Sequence, residues 1–327
     1  MPESSEAARL RADRIKGYTL AALAAACWAT GGLTAKWLFT IPSAGTAHWP
    51  LPPLGIFIDP IALAGSRAFS AFAILAIVLA FTRRRDLVIE LKDVPFLALF
   101  GVAGLAMVHF TYFKTISLTN VATAILIQYL APILVLVVSV LFLKHRLTWT
   151  LPVGVALSVS GSALVVGALG GQGLVVSPAG VAWGLLSAVF FAGYSLLGMI
   201  AAARYSPWTT LVWGLGFASL FWFAVLGPAT VLEVFTNPKT AAVVVFVAIV
   251  STIIPFGAFL TALRYIAPTN ATVTSTIEPV LAGFGAFALF GESLTPVQIL
   301  GGLLVIAAIA VVQLPERQPA AILPPQD

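Results

Sequence analysis

The chain has 327 residues, 60% of them hydrophobic and 9% charged, with a formal net charge of +5 and a mean hydropathy of +1.04. Soluble domains keep about a quarter of their residues charged, so this composition excludes a water-soluble globular protein and makes lipid the expected solvent. The one cysteine, Cys27, excludes an intramolecular disulfide and argues against a cysteine metal site; no cofactor is expected, and the basic excess reads as membrane orientation, with no nucleic-acid partner.

A basic tail, 1–16, carries Arg9, Arg11, Arg14 and Lys16 and leads into an apolar span at 17–39 with Trp28 near its middle. Basic residues before an alanine-rich run also describe a secretory signal, but this run is longer than a signal core and has a later counterpart, so it is expected to be retained. The proline-rich stretch 40–59, with His48, Trp49 and Asp59, reads as an ordered or semi-ordered outer loop. Spans follow at 60–82, 94–114, 120–143 and 148–168, completing a first five-helix unit, 17–168. After an outer linker, 169–179, come spans at 178–203, 208–232, 240–265, 269–290 and 296–314, a second unit over 180–314, and a cytoplasmic tail, 315–327. Each span is about 20 residues, enough to cross a ~30 Å hydrocarbon core as a helix.

The two units are copies. Pro60 and Pro207 lie 147 residues apart, and so do Pro132 and Pro279, Gly154 and Gly301, and Val165 and Val312. The first span follows at a shift of 163, with Gly17, Trp28 and Ala29 opposite Gly180, Phe191 and Ala192; the extra 16 residues belong to the outer loop. Five spans per copy is an odd number, so the second copy must enter the bilayer from the opposite side. With the N-terminus inside, 13 of the 17 basic residues fall on the cytoplasmic side, which predicts both termini inside. The expected fold is therefore an all-α membrane protein of ten transmembrane helices in two inverted five-helix repeats. Secondary transporters are built this way, with substrate near mid-membrane between the halves.

Candidate site residues follow from polar groups inside the spans. Glu278 sits near the middle of the ninth span, where a charge costs ~3 kcal/mol on insertion scales and is usually functional. It reads as a site for a substrate ammonium or a proton, or else as a protonated carboxyl bonded to a neighbouring helix. Pro132 and Pro279 remove a backbone donor at matched positions and read as paired hinges or as static kinks. Gln128 shares a helical face with Pro132, and Tyr129 follows it; Ser275 occupies the matching position in the second copy. These groups suit a zwitterion or an interhelical bond. Tyr112, Trp28 and Tyr194 read as cavity walls or as core packing, and His109 as a satisfied core residue with a relay as the lesser reading. Arg67 and Lys114 are expected near the outer interface, where snorkelling is the default and carboxylate binding the lesser reading.

No phosphate loop, metalloprotease pair or nucleophile elbow occurs in the chain, so neither an ATP-driven step nor an enzyme is expected. The segment Val121 to Thr148, VATAILIQYLAPILVLVVSVLFLKHRLT, and the second-copy pair Glu278-Pro279 followed by Gly291-Glu292-Ser293-Leu294-Thr295 resemble the drug/metabolite transporter superfamily, EamA type. The first copy departs from that pattern with His145 where the turn usually has Glu. Within the superfamily, Gln128 to Pro132 and the overall length are similar to bacterial amino-acid exporters of the YddG type. The resemblance implies export of amino acids or similar small metabolites across the bacterial inner membrane by alternating access, with proton coupling left open. A sugar-phosphate or nucleotide-sugar carrier, a membrane-embedded lipid-modifying enzyme and a channel are the rivals.

Overall fold

A backbone in hydrocarbon finds no water to bond, so its polar groups must be satisfied within each segment. In the computed structural model, which describes residues 2–56, 58–168 and 176–314, every regular element is accordingly helical. Residues 169–175 of the expected linker and the expected tail 315–327 lie outside the described residues. The helices are α1 (Pro2–Phe39), α2 (Pro60–Thr82), α3 (Val94–Leu99), α4 (Met107–Leu118), α5 (Val121–Gln128), α6 (Ala131–Leu141), α7 (Thr150–Val165), α8 (Pro178–Ala202), α9 (Pro207–Leu226) and α10 (Pro228–Glu233). They continue as α11 (Pro238–Ala248), α12 (Ile254–Ala262), α13 (Pro268–Ser275), α14 (Ile277–Phe290) and α15 (Pro296–Gln313). Wider π-helical stretches, Phe100–Ala106 and Ile249–Ile253, join α3 to α4 and α11 to α12.

Eight helical segments are long and apolar enough to cross a membrane: 60–82, 91–118, 121–141, 178–202, 207–226, 238–262, 268–290 and 296–313. α7 is apolar but shorter. α1 is longer, and its polar first turns are part of the helix: residues 2–16 continue into the span as one helix. The expected seventh span is shorter than anticipated, because Gly227 turns the chain at φ +80° and α10 begins after it. Starts are fixed by local chemistry. Asp59 Oδ1 accepts from the Ile61 and Ala62 amides at 3.0 and 2.9 Å ahead of Pro60, and Thr295 and Gln298 cap each other at the head of α15. Such caps satisfy amides that the first turn leaves unpaired.

Small residues set the packing. α7 runs along α15, and a Cβ on either Gly161 or Gly301 would sit 2.7 Å from the other's carbonyl oxygen. That separation leaves no room for a side chain, and close approach of this kind is how helices associate in lipid. α1 packs on α12, α13 and α14, whereas α8 packs on α4, α5 and α6; α2 lies against α9 and α11, and α9 also meets α3. Tyr18 of α1 donates to the Val312 carbonyl of α15 at 2.7 Å, and Asn270 of α13 donates to the Tyr18 hydroxyl at 2.5 Å.

The stretch 40–59 is ordered by backbone contacts. Leu54 and Ile56 donate to the carbonyls of Trp37 and Leu38 at 3.1 and 2.7 Å, and Leu51 donates to Leu289 at 3.1 Å. Trp49 lies tilted against Phe290 with centroids 4.6 Å apart. Beside them Lys36 pairs with Glu292 and lies 5.5 Å from the Phe290 ring centre. Glu292 is the glutamate of the Glu-x-Leu-Thr turn, and its shift counterpart is His145, so this tie has no equivalent in the first copy. The pair is part-exposed. A double-mutant cycle with Lys36→Met and Glu292→Gln, read by thermal unfolding, is expected to give a coupling of roughly 0.2–1 kcal/mol that shrinks with added salt.

Candidate functional site

Proline breaks two helices at matched places. Pro132 has no N–H to give the Gln128 carbonyl, and Pro279 has none for Ser275. The helix accordingly stops at Gln128 and restarts at Ala131, then stops at Ser275 and restarts at Ile277. The expected single kinked helix through Gln128 and Pro132 is therefore two helices. With the helical ladder interrupted between them, Gln128 points at α8, where its Nε2 donates to Ser187 Oγ at 2.9 Å, and does not pair with the Pro132 face.

The two breaks meet through Tyr129. Its buried hydroxyl lies 2.6 Å from Glu278 Oε2 and 3.2 Å from the Ser275 carbonyl oxygen, the carbonyl that Pro279 leaves without a helical donor. One hydroxyl has one proton to give. When Glu278 is a carboxylate, Tyr129 donates to it; when Glu278 carries a proton, it donates to Tyr129 and frees that hydroxyl for Ser275. The arrangement accommodates both states of the carboxyl without moving a heavy atom. Ser275 contributes through its backbone carbonyl; its hydroxyl is turned back to Ala271 at 2.9 Å.

A second group lies on the helices that carry π-stretches. The wider turn frees backbone groups and often marks functional positions. His109 donates from Nδ1 to the Leu105 carbonyl at 2.8 Å and stands edge-on to Phe256 at 5.7 Å. Phe256 also meets Trp28 and Tyr194, both at 5.4 Å. Trp28 further contacts Phe259 and Phe191. Tyr194 is fully buried among Phe100, Phe191 and Phe259, and its hydroxyl has no hydrogen-bond partner among the described residues. Trp28 and Tyr194 thus sit in an aromatic core, and the expected open chamber between the halves is closed. What remains is a narrow cavity walled by Arg67, His109, Trp222, Thr252 and Phe256, with Glu278 outside its walls.

Arg67 corrects the sequence reading. It does not snorkel to an interface: it stands two turns into α2 and faces that internal cavity, with its guanidinium 5.9 Å from the Phe113 ring centre. The signal was in the numbering, since the helix starts at Pro60 and Arg67 follows seven residues later. Tyr112, between the two groups in chain position, feels the charges of both Arg67 and Glu278. Phe256 was missed too, though it is the 147-residue counterpart of His109. The site residues fall into two sets, Gln128, Tyr129, Ser275 and Glu278 at the breaks and Trp28, His109 and Tyr194 around Phe256, with Tyr112 beside Phe113.

Helices broken in lipid, with polar groups turned inward at the breaks, define a polytopic membrane carrier. Residues 15–167 and 178–314 each match the EamA-like transporter family, and the chain belongs to that family. It is 29% identical over 220 residues to an uncharacterised transporter of Archaeoglobus fulgidus, covering 64% of this chain and 74% of the relative. It is 25% identical over 232 residues to the uncharacterised inner membrane transporter YicL of Salmonella typhimurium, covering 70% and 76%. A probable terminal-alkyne amino-acid exporter of Streptantibioticus cattleyicolor is 26% identical over 223 residues, covering 68% of this chain and 73% of the relative. A solved crystal structure superposes with a TM-score of 0.71 at 20% identity, covering 91% of this chain and 96% of that one; the likeness is one of fold.

Proposed function

We propose that the protein exports amino acids across the bacterial inner membrane by alternating access, with Glu278 as the group that meets the substrate ammonium or a coupling proton. The observation that carries this reading is the Tyr129–Glu278 contact at 2.6 Å. It joins the two family-matching halves at the point where both helices are broken. The amino-acid class draws support from the Streptantibioticus relative, described as a probable amino-acid exporter, and the aromatic lining fits a large apolar side chain, as in the YddG-type likeness.

The architecture under this reading is ten spans, α1 and α7 included, in units 17–168 and 180–314 with both termini cytoplasmic. Its support is reciprocity: α1 meets α12, α13 and α14, as α8 meets their shift counterparts α4, α5 and α6. Counterparts also touch each other, His109 with Phe256 and Trp28 with Phe191. Residues exchanged by a two-fold operation can touch only near its axis. The axis then passes through the aromatic core, and alternating access is a rocking of the halves about that core and the breaks at Pro132 and Pro279.

A sugar-phosphate carrier would want paired cations for its phosphate. Arg67 is a single internal cation, which suits one carboxylate better than a phosphate. The deciding experiment is a flux screen over the twenty amino acids in proteoliposomes, with and without a pH gradient. Saturable counterflow of at least one amino acid is the expected result. Leak without exchange points to a channel, and no flux of any amino acid removes the reading.

A further inference from the structure

We propose that Arg67 is the carboxylate-binding group of this transporter, complementing Glu278 so that the two select the opposite charges of one zwitterion. The inference rests on the amino-acid reading above and adds the residue that recognises the acid end.

The Asp59 cap fixes the start of α2 at Pro60, which puts Arg67 two turns inside the bundle, on the wall of the narrow cavity with His109, Thr252 and Phe256. Among the described residues the ion pairs are Lys36–Glu292 and Lys92–Glu90, so no carboxylate neutralises the guanidinium. An uncompensated cation inside an apolar bundle is costly and marks a pathway. Phe113 covers it at 5.9 Å, which holds the side chain in place. A guanidinium presents a planar fork of donors that matches a carboxylate with two parallel bonds. His109, with Nδ1 committed to the Leu105 carbonyl, lines the same cavity.

The two charges are also unique. At the 147-residue shift, Arg67 corresponds to Gly214 and Glu278 to Ala131. The site therefore has one cation and one anion, each from a different half, and reads a zwitterion in a single orientation. A carboxylate on Arg67 and an ammonium on Glu278 tie a substrate to both rocking units at once.

The experiment uses the purified full-length protein in detergent and three probes: L-phenylalanine, phenethylamine, which lacks the carboxylate, and 3-phenylpropionate, which lacks the amine. Binding is read by thermal shift and by calorimetry. Arg67→Gln is expected to weaken L-phenylalanine about 10- to 100-fold, the scale of hydrogen bonds to a charged group, and to leave phenethylamine unchanged. Arg67→Lys keeps the charge and loses the fork; it is expected to show the same selective loss at smaller size, and it serves if the glutamine variant does not fold. Should the wild type bind no amino acid yet bind 3-phenylpropionate through Arg67, the amino-acid reading falls and the carboxylate site stands. Equal weakening of all probes, carboxylate binding that survives Arg67→Gln, or no binding of either carboxylate probe overturns the proposal.

Discussion

Exchange of Glu278 for glutamine is expected to cut amino-acid flux roughly 10- to 100-fold and to abolish its response to a pH gradient. Glutamine keeps the shape of the side chain and an oxygen for the Tyr129 hydroxyl, now 2.6 Å away. It loses the ability to carry a charge or exchange a proton. A charge-assisted contact to a substrate ammonium contributes ~1.5–3 kcal/mol, which sets the size of the loss. The groups that face or electrically reach the carboxyl are Tyr129 and Tyr112, with Arg67 acting in turn on Tyr112 and on His109. A pH response that survives the exchange would have to come from one of them. Folding is not expected to suffer, because a neutral amide in the bundle costs less to bury than a carboxylate. The checks are counterflow in proteoliposomes at several pH values and thermal unfolding of the same preparation. Wild-type flux with a wild-type pH response would remove Glu278 from the transport step.

Much of the fold was legible because lipid imposes a simple demand. A span must be apolar for about 20 residues, and Pro60 to Thr82 is read off the chain with both ends correct. Glu278 was legible for the complementary reason: one charge in an apolar run stands out. Its partner was not, since Tyr129 lies 149 residues away and their contact depends on how two units dock. Arg67 was misplaced although its span was right, because the span's ends do not say which face of α2 turns toward the bundle, and that rotation decides between an interface and an interior. The π-stretches have no sequence pattern of their own. They arise where packing forces the helical ladder to slip; in the first, a Cβ on Gly101 would lie 2.5 Å from the Gly214 carbonyl oxygen. The closed aromatic centre was equally hidden, because Trp28, Tyr194 and Phe256 are core-like or cavity-like according to the rotation of their helices, and composition does not set that rotation.

Replacing Pro279 with alanine is expected to slow exchange about tenfold while leaving substrate affinity within a factor of two or so, a pure hinge effect in which turnover changes and uniform binding does not. Alanine restores the missing amide, which can then bond the Ser275 carbonyl and carry α13 into α14 as one helix. That bond contributes ~1 kcal/mol, and loss of the ring removes a clash that disfavours helix by ~3 kcal/mol. The straight form is therefore stabilised by a few kcal/mol relative to the broken one. A bias of 1.4 kcal/mol against one of two alternating states is enough for the tenfold slowing. The Ser275 carbonyl would no longer need Tyr129, whose hydroxyl now sits 3.2 Å from it, so Tyr129 would remain with Glu278 alone. Pro132→Ala should act in the same direction at the matched break between α5 and α6, and with less effect, because among the described residues no side chain bridges the Gln128 carbonyl to a charged group in the other unit. Exchange rates from counterflow, set beside affinities from calorimetry, separate the two quantities. Unchanged turnover in both alanine variants would mean that the breaks only shape the bundle, and the moving element would then have to be sought in the π-stretches that flank the aromatic core.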